Sequence, residues 1–412
     1  MHILYIHQYF ATPNGNTGTR SYEFAKRWVQ AGHKVTMLTS LAQLTPDDLS
    51  EVRIKRINRF DVDGISVIAL NVPYTQLMGV VRRLWAFLMF MMLASWCALR
   101  CRRINVMFVT STPLTVGVPA LVVHWLRRIP FVFEVRDVWP AVPIALGYIK
   151  NRFSIWLLKR FERMIYRNAS AIIALSPGAA DLIRKDMPRN KTVEVIPNCA
   201  DLEFFSPEND GAVIRRDRGW DGSFVCIHTG TMGAVNGLDI IVRAAQRFQA
   251  HPKLRFVLVG EGRVKDHLRQ EQQRFDLGNL EVLDGVPKRE LSGILAAGDL
   301  GLMTVAPIPV LEQNSANKFF DYLSAGKPIL LNYGGWQREL LEQVDAGRGC
   351  TMGDENAFFD RIGELEADSN ACQRMGRNAR LTAEQQFSRD RLANEALECA
   401  ERAAISRTKK QS

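Results

Sequence analysis

Short, unbroken apolar runs recur along the chain, each bounded by glycine, proline or polar residues, and between them apolar positions return at helical spacing. Ile3 to Ile6 reads as a first strand, followed by the loop QYFATPNGNTG, a helix from about Thr19 to Ala31 and a second strand, KVTMLT. The runs ISVIAL, VMFVT, Phe131 to Glu134, SAIIALS (170–176) and TVEVIP (192–197) continue the series. Pro197 and Pro207 bracket a polar loop, read as a hinge, after which the alternation restarts. Phe224 to His228 is a strand, then come a glycine loop (230–237), a helix from Leu238, RFVLVG (255–260), a helix carrying Lys265 and the strand LEVLDGV. A helix over Glu290 to Ala297, the strand LGLMTV and the stretch NSANKFFDYLSAGKPILLNYGG (314–335) complete it. Strands buried on both faces read as continuous apolar runs, so the pattern predicts an α/β protein with two doubly wound domains. The expected boundaries are 1–200 and 208–380, with 381–412 holding an amphipathic helix (about Thr382 to Ile405) and a disordered basic tail, RTKKQS.

The 314–335 stretch carries the most chemistry. An Asn-Ser pair is placed to cap a short helix, Lys318 and Asp321 lie three residues apart on one face, Gly326 ends the helix and Pro328 prevents its return. A cation at an electropositive helix start with a carboxylate one turn on suits a nucleotide diphosphate: phosphate near Asn317 and Lys318, ribose hydroxyls at Asp321. An ordinary surface Lys–Asp pair is the plain alternative. In the glycine loop, backbone N–H groups around Gly230 and Gly233 can cradle phosphate, and Arg263 and Lys265 are further cations at a strand end. In the first half, Gly15 and Gly18 do not form GxGxxG, so the dinucleotide fingerprint is absent. Gly18 can let backbone approach an acceptor sugar, and Arg20 opposes the helix dipole, which hints at an anionic or hydroxyl-rich partner. Asp137, at a strand end stopped by Trp139-Pro140, is the candidate carboxylate there.

Net charge is +10 over 412 residues, so the expected partner is anionic. Basic residues are spread out and no nucleic-acid module is present, which argues against nucleic acid. The seven cysteines are scattered, without CxxC or zinc-like spacing, and the chain opens directly on a strand, so a reduced, cytosolic-facing protein is expected. Asp61-Val62-Asp63-Gly64 contains DxD but reads as a hairpin turn, and no metal is expected.

Leu84 to Leu99 holds sixteen residues without a charge, flanked by Arg82 and Arg83 before and Arg100, Arg102 and Arg103 after. A spanning helix needs roughly 20 apolar residues, so a helix half-sunk among anionic headgroups is the reading, with a buried core helix as alternative. The expected membrane contacts are Arg82, Arg83, Trp85, Phe87, Leu88, Met91, Arg102 and Arg103. RFSIWLLKRFERMIYR (152–167) is a second basic amphipathic segment.

These motifs together resemble the retaining glycosyltransferases of family-4 type, with the GT-B fold, over nearly the full length. NGNTGTRSYEFAKRWVQAGHKVTMLT is similar to the family's glycine loop, helix and strand, and VIPNCADLEFFSP to its interdomain signature, with Cys199 in place of glycine. VLVGEGRVKDHL and, most specifically, NKFFDYLSAGKPILLNYGGWQRE match its C-terminal blocks. There are departures: Asp321 stands for the second acid of the family's pair, but the position of the first is Gln313 with Glu312 adjacent, and Asn236 replaces a basic residue of the glycine loop. The resemblance is strongest to the bacterial surface-polysaccharide branch that transfers N-acetylated amino sugars, including N-acetylfucosamine.

The resemblance implies two Rossmann-like domains facing a central cleft and transfer of a sugar, with retention, from a nucleotide diphosphate donor, UDP-linked by expectation. No cofactor is needed if Lys265, Lys318 and the helix dipole stabilise the leaving diphosphate. Donor groups are then Gly230, Gly233, Arg263, Lys265, Asn317, Lys318 and Asp321; Gly18, Arg20 and Asp137 face the acceptor; Lys318 and Asp137 are the catalytic candidates. The expected acceptor is a polyprenyl-diphosphate-linked saccharide, for O-antigen, capsule or exopolysaccharide, with the protein peripheral on the inner face of the cell membrane. A nucleotide-sugar epimerase on the same scaffold and a non-catalytic sugar-nucleotide-binding subunit of a membrane synthase remain the alternatives.

Overall fold

The computed structural model describes residues 1–15, 17–74 and 78–411, with side chains at all of these except 80 and 406–411. The chain forms two compact units: Met1–Pro197 with Arg389–Ser412, and Asn198–Ser388.

Among the described residues the first unit holds an eight-stranded sheet: β1 (His2–Ile6), β2 (Lys34–Ser40), β3 (Ile57–Val62), β4 (Ile65–Leu70), β5 (Val106–Thr110), β6 (Phe131–Val135), β7 (Ala171–Ala174) and β8 (Val193–Val195). Their order is β3-β4-β2-β1-β5-β6-β7-β8, parallel except for the β3–β4 hairpin. Asp63 (φ 51°) and Gly64 (φ 82°) make that turn as expected; Asp61 Oδ1 accepts from Gly64 N at 2.8 Å, while the Asp63 carboxylate accepts from the Tyr22 hydroxyl. The second unit holds six parallel strands: β9 (Phe224–Thr229), β10 (Leu254–Val259), β11 (Leu280–Leu283), β12 (Leu300–Met303), β13 (Ile329–Leu331) and β14 (Gly347–Gly349), in the order β11-β10-β9-β12-β13-β14. Each order reverses once, beside β1 in the first sheet and beside β9 in the second. Ligands of open α/β sheets sit beyond the strand ends at such a reversal.

The central strands are fully buried because helices cover both sheet faces: Ile3–Ile6, Met107–Val109 and Phe131–Phe133 in one unit, Val225–Ile227 and Phe256–Leu258 in the other. The C-terminal segment departs from expectation. It breaks at Phe387-Ser388 into two helices, Ser369–Gln386 and Arg389–Gln411, and the second belongs to the first unit. Leu392, Ala393, Ala396 and Ala400 of that helix are buried, and Ala393 O accepts from Trp28 Nε1 at 2.8 Å. An amphipathic period shows that a helix packs, not on which unit. The helix also runs through most of the tail expected to be disordered, as far as Gln411; the tail's side chains and Ser412 lie outside the described residues.

Arg20 corrects a second expectation. It is 5% exposed, and its Nε donates to Glu134 Oε1 at 2.9 Å, Nη2 to Ile196 O at 3.0 Å and Nη1 to Pro197 O. Glu134, fully buried on β6, also accepts from Thr110 Oγ1 at 2.9 Å. The anionic partner hinted at by Arg20's place at a helix start is therefore a carboxylate of its own core. Glu134→Ala would leave the guanidinium buried and unpaired, and is expected to destabilise the protein by about 3–5 kcal/mol in chemical denaturation.

Candidate functional site

The second sheet reverses at β9, and polar groups gather beyond its carboxyl end from several elements. β9 ends in His228-Thr229 and runs into Gly230, whose φ of +110° suits glycine. The β10 end lies so close that a Cβ on Gly260 would sit 1.8 Å from Gly230 O, and one on Gly262 2.1 Å from Met232 O. Met232 N donates to Glu261 O at 2.8 Å, tying the two loops together. From the other side comes the helix Asn317–Ser324. Its Tyr322 hydroxyl accepts from Thr229 N at 2.9 Å, and its ring fits because residue 301 is glycine, where a Cβ would meet the ring at 2.6 Å.

Lys318, in the first turn of this helix, extends beside Gly230, its Cε 3.7 Å from where a Cβ would stand. Its Nζ lies 3.1 Å from His228 Nε2 and 3.2 Å from Asn236 Oδ1. Asn236 is oriented by its own Nδ2, which donates to Thr231 O at 2.7 Å. His228 is completely buried, and desolvation, with the nearby ammonium adding to it, holds its imidazole neutral. Nδ1 lies 3.1 Å from Leu302 O, which can only accept, so Nδ1 carries the proton and Nε2 presents a lone pair to Lys318. Burial alone pulls the Lys318 ammonium down to about 7. The cap of the helix is Ala316, not the expected Asn-Ser pair, and it makes no side-chain capping bond. Asn314 Oδ1 instead accepts from Ala316 N at 3.2 Å, while Asn198 Nδ2 donates to Ser315 O at 2.5 Å. The helix start thus combines uncapped N–H groups with a cation, as an anion site requires.

The structure brings together Gly230, Gly233, Asn317 and Lys318, and places Asp321 one helical turn on, partly exposed. Lys265 is diverted: its Nζ donates to Glu261 Oε1 at 2.6 Å and to Asp284, so its charge is balanced by two carboxylates. Arg263 is exposed on the loop before it. Of the incomplete acid pair, Glu312 is the better placed, its Oε1 accepting from Gly334 N at 3.2 Å. A groove of about 850 Å³ elsewhere on this unit, between Ile214 and Gly293, includes none of the residues around Lys318. His228, Tyr322 and Asn198 were not marked by sequence: a histidine inside an apolar strand and a tyrosine inside an amphipathic helix look like ordinary core.

In the first unit Asp137 is exposed just beyond β6. Gly18 is partly exposed in the loop before the helix Arg20–Gln30, and Asn16 lies outside the described residues. The long apolar helix, Val80–Arg100, is neither fully buried nor free. Ala86, Phe90, Ala94, Cys97 and Ala98 pack into the core, while Val81, Leu84, Trp85, Leu88, Met92 and Trp96 are exposed, Trp85 by 61%. Of the expected surface residues, Phe87 stacks on Tyr74 with ring centroids 5.9 Å apart and Met91 is half-buried, because both lie at the flank of the core face. The helix Gly117–Arg127 packs against this one and against Arg152–Asn168, and they continue the same character with Trp125, Leu126, Phe153, Trp156 and Leu157 exposed.

Two Rossmann-like units, each a mainly parallel sheet with a topological reversal, are the architecture of the GT-B class. Residues 15–199 match the model of the glycosyl transferase 4-like domain, and residues 223–368 that of glycosyl transferases group 1. The chain is similar to the probable glycosyltransferase WbjE of Pseudomonas aeruginosa, 24% identical over 299 residues covering 71% of this chain and 73% of that one. Among solved structures it resembles sucrose-phosphate synthase from Thermosynechococcus elongatus (TM-score 0.77, 15% identity, 98% and 99% of the two chains). It also resembles Anabaena HepE in complex with UDP (TM-score 0.71, 19% identity, 97% and 99%) and WaaG, a glycosyltransferase involved in lipopolysaccharide biosynthesis (TM-score 0.67, 14% identity, 97% and 99%). This protein is a glycosyltransferase of the GT-B type.

Tyr322 carries the loop geometry. Tyr322→Phe would strand the buried Thr229 N–H and is expected to cost about 1–3 kcal/mol of stability, read by urea denaturation; an unchanged midpoint would remove this hydrogen bond from the account.

Proposed function

We propose that this enzyme transfers a sugar, an N-acetylated amino sugar in our reading, from a uridine diphosphate donor to a lipid-linked saccharide, with retention of configuration, in bacterial surface-polysaccharide synthesis. The observation that carries it is the half-buried Lys318 ammonium beside the Gly230 turn at an uncapped helix start. A diphosphate leaving group develops negative charge as the glycosidic bond breaks, and a preorganised cation with backbone N–H groups stabilises that charge by several kcal/mol. Lys318 meets the diphosphate, the Gly230–Gly233 loop lends its N–H groups and Asp321 takes the ribose hydroxyls. The UDP and UDP-glucose complexes of HepE, a protein of the same fold, support the uridine assignment. The retaining course follows a front-face path, in which the departing phosphate oxygen takes the acceptor proton. It needs no separate base, and Asp137 contributes on the acceptor side.

The lipid-linked acceptor is supported by the outer face of the first unit. Four exposed tryptophans (Trp85, Trp96, Trp125, Trp156) lie on three neighbouring helices. Arginine guanidinium groups stand over two of them, Arg100 3.7 Å from the Trp96 ring and Arg160 5.9 Å from that of Trp156. Arg82, Arg102 and Arg103 are exposed at the ends of Val80–Arg100. Aromatic rings at headgroup depth with arginines reaching lipid phosphate are the features of an interfacial anchor, each cation adding about 1 kcal/mol at an anionic surface. We therefore place the enzyme on the inner leaflet of the cell membrane, acting without a metal cofactor.

Lys318→Ala is expected to weaken UDP binding at least tenfold by calorimetry with the fold intact, and unchanged affinity would remove the phosphate assignment. Trp85→Ser combined with Trp156→Ser is expected to lower sedimentation with anionic vesicles about tenfold without shifting the melting temperature. Sugar release from a panel of UDP-, GDP- and dTDP-sugars should require membranes; turnover without them would favour an isomerase or hydrolase.

A further inference from the structure

Lys318 is held by side chains that carry no charge. Three deeply placed cations are balanced by carboxylates: Arg20 by Glu134, Lys265 by Glu261 and Asp284, and Arg389 by Glu23 at 3.1 Å, whereas Lys327 Nζ donates to the backbone oxygens of Ala296 and Gly298 at 2.8 and 2.6 Å. The described partners of Lys318 are a neutral imidazole nitrogen and an amide oxygen. The histidine is itself fixed from behind, since Leu302 O dictates which of its nitrogens is protonated.

We propose that His228 is a positioning residue of the transfer reaction: with Asn236 it aims the Lys318 ammonium through neutral acceptors, so that its charge stays uncancelled until the donor's diphosphate arrives. This rests on the donor reading given above and adds to it a residue and a coupling. A carboxylate in the place of His228 would hold Lys318 as firmly but neutralise it, and would repel the diphosphate. An apolar residue would leave the ammonium without its 3.1 Å partner.

The arrangement has a thermodynamic consequence. The titratable group in contact with Lys318 is His228 on β9, and Asp321 and Tyr322 lie further along its own helix. Burial is nevertheless the cause that lowers its ammonium, to about 7. A bound diphosphate favours the protonated form and raises that value. Between the two, binding takes up one proton, so affinity is highest below pH 7 and falls up to tenfold per pH unit above it. A nucleoside diphosphate has lost its last phosphate proton by then, that group titrating near about 6, so the uptake reports on the protein.

The test is calorimetry of UDP, GDP and dTDP with the full chain at pH 8, in HEPES and in Tris, whose different ionisation heats count the protons. The wild type is expected to take up most of one proton with the nucleotide it binds, and Lys318→Met none. His228→Gln, which keeps a neutral acceptor, should stay within about threefold of wild-type affinity; His228→Glu should lose at least tenfold and lose the proton uptake, with circular dichroism unchanged. Nucleotide binding without proton uptake, or His228→Glu binding as well as wild type, would overturn this inference and leave the donor assignment standing. Binding of none of the three nucleotides would overturn both.

Discussion

A cation folded against neutral acceptors in place of a carboxylate is the constraint around which the end of β9 is arranged. A desolvated ammonium costs several kcal/mol, and an adjacent carboxylate, the usual remedy, would cancel its charge. Lys318 is held by a compromise: two neutral acceptors direct it, and its ammonium is lowered to about 7 as a result. The neighbouring features follow from holding those acceptors in place. Leu302 O sets the His228 tautomer, Thr231 O orients Asn236, and Tyr322 pins Thr229 beneath the Gly230 turn. Glycines at 260, 262 and 301 allow the close approaches that this requires.

At Asn236 and Lys318 a cation reaches the glycine loop from a distant segment of the chain. A basic residue at 236 would bring its cation into the glycine loop from below. Here the loop contributes an amide, and the cation comes from the helix 82 residues later, reaching within 3.2 Å of that amide. Sequence reading registered the missing base as a defect in the motif. The structure makes it half of a pair, because two cations so close together in a dry site would repel each other.

What could be read from sequence, and what could not, separates along the same line. Both sheets and the turn at Asp63-Gly64 follow from short-range pattern, since a strand buried on both faces must be apolar throughout. Lys265, Arg20 and Lys318 all occupy the first turn of a helix and carry the same local signal. Their roles diverge through partners 19, 114 and 90 residues away: Asp284, Glu134 and His228. A carboxylate partner makes the first two parts of the framework, and the neutral partner leaves the third able to meet a ligand. No local period encodes that difference. The strand Gly347–Gly349 escaped for a related reason, having three residues and no apolar side chain to announce it.

Because the two units share one architecture, each serves as a reference for the other's surface. The exposed large apolar residues of the second unit are Val213, Phe275 and Leu381, single residues on separate elements, as any soluble protein shows. The first unit, with the same sheet-and-helix plan, concentrates its own on Val80–Arg100, Gly117–Arg127 and Arg152–Asn168. Helix stability cannot explain this, since these helices already bury an inner face adequate for packing. Fold cannot explain it either, since the second unit manages without. Exposed tryptophan in water is costly in proportion to its area, and this unit keeps four on three neighbouring helices, two of them beneath arginines. In the proposed membrane-bound state those guanidinium groups would meet the phosphates of an anionic bilayer, whereas an apolar protein partner would strand them.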